Sequence, residues 1–137
     1  MRALLLAATL LCASAPVLAE PQVQPIRFAR GASGAEVQGA VVRGERALFS
    51  LEARAGQTLT ARITAPEDNA VFQIWHPGAV PRQQDGMAMV DGTALPGAGE
   101  GEDARSWSGR LPASGAYLIV VGGTRGNAAF RLSVTVR

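Results

Sequence analysis

Few side chains in this sequence can do chemistry, and they are scattered along it. His76 is the single imidazole and Cys12 the single thiol. His76 stands in the turn Trp75-His76-Pro77-Gly78, where it could act as a general base or touch a ligand. One histidine beside a turn gives no Ser-His-Asp arrangement, and an exposed turn residue is the plainer reading. Asp85, Asp91, Glu100, Glu102 and Asp103 crowd one stretch. Calcium wants six or more oxygens, and this spacing matches no compact calcium loop. A glycosidase needs two carboxylates held at a fixed separation, which acids spaced by glycine and alanine in a loop do not provide. They read as solvated charge, and no metal and no cofactor is expected.

Other residues suit binding better than catalysis. Trp75 and Trp107 are large aromatics in a chain with only 5% aromatic residues. Trp75 is in phase with Val71 and Gln73 and opposite Phe72 and Ile74. If Phe72 and Ile74 face the core, Trp75 faces out and could stack on a sugar or a protein; the alternative is that both tryptophans cover the ends of the fold. Ser114, Tyr117 and Arg125 lie in or beside turns near the C-terminus. If 117–121 and 128–136 form a hairpin, Arg125 sits at its tip, and Ser114 lies at the other end of the first strand, about five residues or ~16 Å along it.

Composition narrows the classes further. Of 137 residues, 13 are basic, all of them arginine, against 11 acidic. A net charge of +2 lacks the concentrated basic face of a nucleic-acid binder. Residues 1–19 have the form of a secretory signal peptide: Arg2, an apolar run from Leu4 to Leu11, and Val17-Leu18-Ala19 before a cut at Glu20. Pro16 breaks any helix where the run ends, and the run is too short to span a bilayer, which takes about 20 apolar residues. Lipidation at Cys12 would place bulky Leu11 where small residues are preferred. Export removes Cys12, so the mature chain has no thiol chemistry and no disulfide, and no membrane span is expected in it.

What must position the candidates is a set of strands. Leu59, Ala61 and Ile63 alternate with Thr58, Thr60, Arg62 and Thr64; Phe130, Leu132, Val134 and Val136 alternate with Ala129, Arg131, Ser133 and Thr135. Phe49, Leu51 and Ala53 do the same, and Val37, Gly39 and Val41 form a weaker strand. Residues 70–75 and 117–121 are nearly continuous apolar runs, as in central strands. Residues 25–29 and 107–111 read as short edge strands. Glycine-bearing turns such as Arg43-Gly44-Glu45-Arg46 and Thr124-Arg125-Gly126-Asn127 separate them. No span reads as a helix. The expectation is an all-β fold, an antiparallel β-sandwich of about eight strands, jelly-roll-like, in one domain over 20–137. Residues 79–104 carry no period and read as one long loop.

Read with their neighbours, the turn residues resemble a known family. Leu111-Pro112-Ala113-Ser114-Gly115-Ala116-Tyr117, then Thr124-Arg125 and Ala128, is similar to the C-terminal half of the periplasmic inhibitors of goose-type (g-type) lysozyme. Arg27-Phe28-Ala29-Arg30-Gly31-Ala32-Ser33, then Gly39, Gly44 and Ala53-Arg54-Ala55-Gly56-Gln57, follows the N-terminal half, so the resemblance covers roughly 26–136. It implies an antiparallel sandwich, a periplasmic location and a non-enzymatic role in bacterial defence, protecting peptidoglycan by putting loop side chains into a muramidase cleft. It places the contacts on Ser114, Gly115, Tyr117 and Arg125; the residue pattern itself, not the resemblance, adds Trp75 and His76 as candidate secondary contacts. An arginine can clamp a cleft carboxylate through two parallel hydrogen bonds. The chain departs from the family at Ala128 and Ala129, where a second basic residue is usual, at Ala116, and in the tyrosine-free hairpin at 44–49. The Ala-Gly-Gln-Thr-Leu and Ser-Gly-x-Tyr pieces also resemble secreted pre-peptidase C-terminal domains, which implies as the alternative a module binding envelope glycan or protein. A metal-dependent hydrolase is the third reading.

Overall fold

The computed structural model describes residues 13–15 and 20–137. The signal segment read at 1–19, with Cys12, lies outside the described residues apart from 13–15. Ten strands and no helix occur among the described residues: β1 (Val23–Pro25), β2 (Gly34–Val41), β3 (Arg46–Ala53), β4 (Thr58–Thr64), β5 (Ala70–Trp75), β6 (Val80–Gln84), β7 (Met87–Asp91), β8 (Ser106–Arg110), β9 (Gly115–Gly123) and β10 (Ala128–Val136). Eight of them form two four-stranded sheets, ordered β1-β3-β9-β5 and β2-β10-β4-β8, and β6 and β7 pair separately. Every pairing is antiparallel except β1 with β3, which is parallel. The fold is a β-sandwich, as the alternation predicts. The early edge strand differs: it forms at 23–25 rather than 25–29.

Successive strands of the sandwich alternate between the two sheets, the habit of a jelly roll. The expected hairpin of 117–121 with 128–136 is therefore absent. β9 pairs with β3 and β5, while β10 pairs with β2 and β4. Residues 124–127 form an arch from one sheet to the other, across a gap of about 10 Å. Burial explains the choice. β10 has one dry face, Phe130, Leu132, Val134 and Val136, so its outward face is free to meet water. In β9 every residue from Tyr117 to Val121 is buried, which suits a strand in the middle of a sheet covered on both faces. Between the sheets, Phe49 and Phe130 meet edge to face with centroids 6.2 Å apart.

The cover on the outer face of the first sheet comes from the segment read as a loop. Residues 79–104 are not structureless. Asp85 (φ 52°) and Gly86 (φ 78°) form a two-residue turn with both residues in the left-handed region, the geometry that joins β6 and β7 into a hairpin. That hairpin lies over Leu48, Leu118, Val120 and Trp75, with Ala88 closing a second apolar cluster. Trp75 has the phase read from the sequence, opposite Phe72 and Ile74, but it does not face solvent: it is 8% exposed, and its Nε1 donates to Gln73 Oε1 at 3.1 Å. The rest of the segment runs along the open edge of β5. His76 N donates to Thr93 O, Leu95 N to Ile74 O, Ile74 N to Ala98 O and Phe72 N to Ala104 O. Leu95 and Ala98 are buried there. Trp107 reaches across from β8 to donate its Nε1 to Pro96 O at 2.8 Å, its ring lying over Gly109, where a Cβ would sit 2.6 Å from the ring.

Candidate partner-binding site

Strand β9 decides where the expected contact residues stand, because they lie at or just beyond its two ends. At its first end the Ser-Gly-x-Tyr piece forms a self-supporting corner. Tyr117 is fully buried. Its hydroxyl donates to Ala113 O at 2.7 Å and accepts from Ala113 N at 3.2 Å. This is a tyrosine corner of the kind that ties a strand to the chain just before it in β-sandwiches. Ser114 is exposed, and its Oγ accepts from Ala55 N at 2.8 Å, joining the corner to the β3–β4 turn. Gly115 (φ 142°) sits where a Cβ would lie 2.9 Å from Pro77 Cβ, so only glycine lets the two turns meet. His76 is half-buried, its ring 6.3 Å from that of Tyr117. Among the described residues no three metal-capable side chains converge, here or elsewhere.

Arg125 stands at the other end of β9, roughly 30 Å from Ser114 along the strand at the usual rise. The structure therefore splits the four expected residues into two places. Arg125 is exposed on the β9–β10 arch, and its Nη2 donates to Glu67 O at 2.7 Å. The neighbouring turns hold this arch. Thr124 N donates to Asn69 O at 2.9 Å, and Arg43 N donates to Asn127 Oδ1 at 2.9 Å. Asn69 Nδ2 donates to both Arg125 O and Asn127 O at 3.0 Å. Asp68 (φ 54°) pairs with Arg105 beside it. Sequence reasoning passed over Asn69. Its signal is faint: an Asp-Asn pair closing a turn immediately before an apolar run, where either residue reads as a turn former.

The two ends thus differ in kind. One is built on a buried tyrosine and carries a serine and a glycine in close packing. The other presents an arginine on a tethered arch. Comparison with solved structures places the fold. The chain aligns with the periplasmic lysozyme inhibitor of g-type lysozyme from Aeromonas hydrophila, PliG, at 31% identity over 86% of this chain and 98% of that one, with a TM-score of 0.67. The chain belongs to the PliG family. PliG from Salmonella Typhimurium matches at 18% identity, covering 85% of this chain and 98% of that one, with a TM-score of 0.57. A mutant of the Escherichia coli PliG matches at 19% identity over 85% and 99%, with a TM-score of 0.56. These two show the shared fold. No protein-family model and no curated protein matches the sequence.

PliG relatives are inhibitor proteins rather than enzymes, and this PliG-family chain is likewise non-enzymatic. On the surface of this chain His76 stands near a buried tyrosine, and the loop acids are spread over a hairpin and an edge segment. Asp91 pairs with Arg82, and Glu100 with Arg46. Among the described residues no helix is long and apolar enough to cross a membrane.

Proposed function

We propose that this chain is an exported inhibitor of lysozyme, g-type above others, acting in the periplasm after loss of residues 1–19. The observation that carries the reading is the 31% identity to the Aeromonas hydrophila inhibitor across nearly all of that protein. We propose that Arg125 supplies the contact, entering the substrate cleft on its arch. A muramidase cleft holds carboxylates, and a guanidinium meets a carboxylate with two parallel hydrogen bonds. On this reading Tyr117 shapes the opposite end and does not touch the enzyme, and Ser114 and Gly115 belong to that same corner. Burial of Trp75 removes one of the two motives for the alternative, a module binding envelope glycan or protein; the missing second basic residue at Ala128 and Ala129 is the other.

The test mixes purified mature protein with g-, c- and i-type lysozymes and follows lysis of cell walls. Protection against the g-type enzyme at low molar excess is expected. No protection against any of the three at large excess overturns the reading. Arg125→Ala raises the inhibition constant. If it does not, and Ser114→Ala does, the contact lies at the tyrosine end.

A further inference from the structure

Among the described residues one non-aromatic polar side chain is buried in this domain, and it lies under the arginine arch. Asn69 is 1% exposed. Both donors of its amide are used on carbonyls of the arch, those of Arg125 and Asn127. Burying an amide is costly unless its hydrogen bonds are made, so its place calls for a reason.

The backbone supplies one. Other turns close on themselves through a bond from residue i+3 back to residue i: Ala32 N to Ala29 O, Glu45 N to Val42 O, Gln57 N to Arg54 O, Asp68 N to Ala65 O, Ala79 N to His76 O. Among the described residues no such bond closes 124–127. Its backbone is held from outside, by Asn69 O on Thr124 N and by the Asn69 amide on the two carbonyls. Gly126 has φ 60°, so the arch contains a residue with wide conformational freedom. Without the tether, the arch would keep only the bond from Arg43 N to Asn127 Oδ1 and that from the Arg125 guanidinium to Glu67 O, neither of which holds its own backbone between 124 and 126.

We propose that Asn69 is a positioning residue for partner binding: it holds the 124–127 arch in the one conformation that presents Arg125, so that the arch is ordered before the partner arrives. This rests on the reading that Arg125 makes the contact. Apparent affinity falls in proportion to the fraction of molecules whose arch is competent. An arch competent one-tenth of the time would bind about tenfold more weakly, with the loss in the association rate.

The experiment measures association and dissociation rates with a g-type lysozyme for the native chain, Asn69→Asp, Arg125→Ala and the double variant, together with thermal unfolding of each. Aspartate keeps the shape of asparagine and, ionised, has no donor. Asn69→Asp is expected to slow association about tenfold, to leave dissociation nearly unchanged, and to speed amide exchange at residues 124–127. In the Arg125→Ala background the same substitution is expected to lower the melting temperature as before yet change the affinity no further. A purely structural asparagine would weaken binding equally in both backgrounds, and that result overturns the proposal. Native affinity in Asn69→Asp beside a clear loss in Arg125→Ala also overturns it, while the Arg125 reading stands. Full affinity in Arg125→Ala overturns both. If Asn69→Asp does not fold, Asn69→Ser, which shortens the reach without adding charge, carries the same comparison.

Discussion

Tyr117→Phe separates a structural tyrosine from a contact tyrosine. The substitution keeps the ring and removes one oxygen. That oxygen donates to Ala113 O at 2.7 Å and accepts from Ala113 N at 3.2 Å. A hydrogen bond of this kind contributes about 1 kcal/mol net, and a buried group left without its partner costs about 1–3 kcal/mol. Ala113 is only partly buried, so water can reach its amide and carbonyl in part, which favours the lower half of that range. The expected loss is about 2 kcal/mol. For a domain of this size each kcal/mol moves the melting temperature by about 4 °C, so the midpoint should fall by about 8 °C. Urea unfolding should show a lower midpoint at an unchanged slope, because the surface exposed on unfolding is the same. The corner lies at the far end of β9 from Arg125, so the inhibition constant should stay within about twofold, well under the tenfold that 1.4 kcal/mol represents. An unchanged midpoint with a large loss of inhibition would refute the reasoning, since the hydroxyl would then be spending its bonds on the partner.

Gly109→Ala places a methyl group 2.6 Å from the Trp107 ring. The ring must tilt, and its bond to Pro96 O breaks; overpacking of this sort costs about 1–3 kcal/mol, visible as a lower melting temperature and a red-shifted tryptophan emission. Arg82→Ala removes an ion pair whose side chains are 43% and 63% exposed; exposed pairs are worth about 0–1 kcal/mol, so a melting curve within about 4 °C of native is expected, and a larger fall would show that the hairpin depends on it. In a Trp107→Phe background, which leaves Trp75 as the lone indole, acrylamide should quench emission weakly and glycan fragments not at all; strong quenching by either would contradict burial beneath β6 and β7.

Much of the strand inventory was legible because alternation reports local exposure. Residues 58–64 and 128–136 carry one dry and one wet face, and β4 and β10 follow them to the residue. Partners were less legible. The Thr124-Arg125-Gly126-Asn127 turn reads as a hairpin tip, yet a short glycine-bearing turn can equally arch between sheets, and only the burial of both faces of β9 decides. The 79–104 segment is hard to read for another reason. Met87, Ala88, Met89 and Val90 show weak alternation, but Asp85-Gly86 is among the stronger short hairpin signals. Trp75 had the right phase and the wrong environment, because phase tells which face of a sheet a residue takes and not whether a distant segment covers that face. Of the site, Arg125 was legible as an exposed turn residue. Tyr117 was not legible as a corner, since its partner, the Ala113 backbone, leaves no trace in side-chain identity. Asn69 was invisible because its acceptors are backbone carbonyls more than fifty residues away.

The alternation of strands between the two sheets has a kinetic side. No two consecutive strands of the sandwich pair with each other, so every ladder in it joins residues far apart in the chain. Only β6 and β7 can zip up locally. Chains whose contacts are mostly distant in sequence close large loops before gaining pairing energy, and they fold over milliseconds to seconds rather than microseconds. For a chain proposed to be exported, that delay is useful. A polypeptide threaded through a membrane must still be open when it arrives, and a topology that cannot nucleate from neighbouring strands keeps it open longer. The same arches that set Arg125 at one end of the sandwich thus also slow the collapse that would trap the chain on the wrong side.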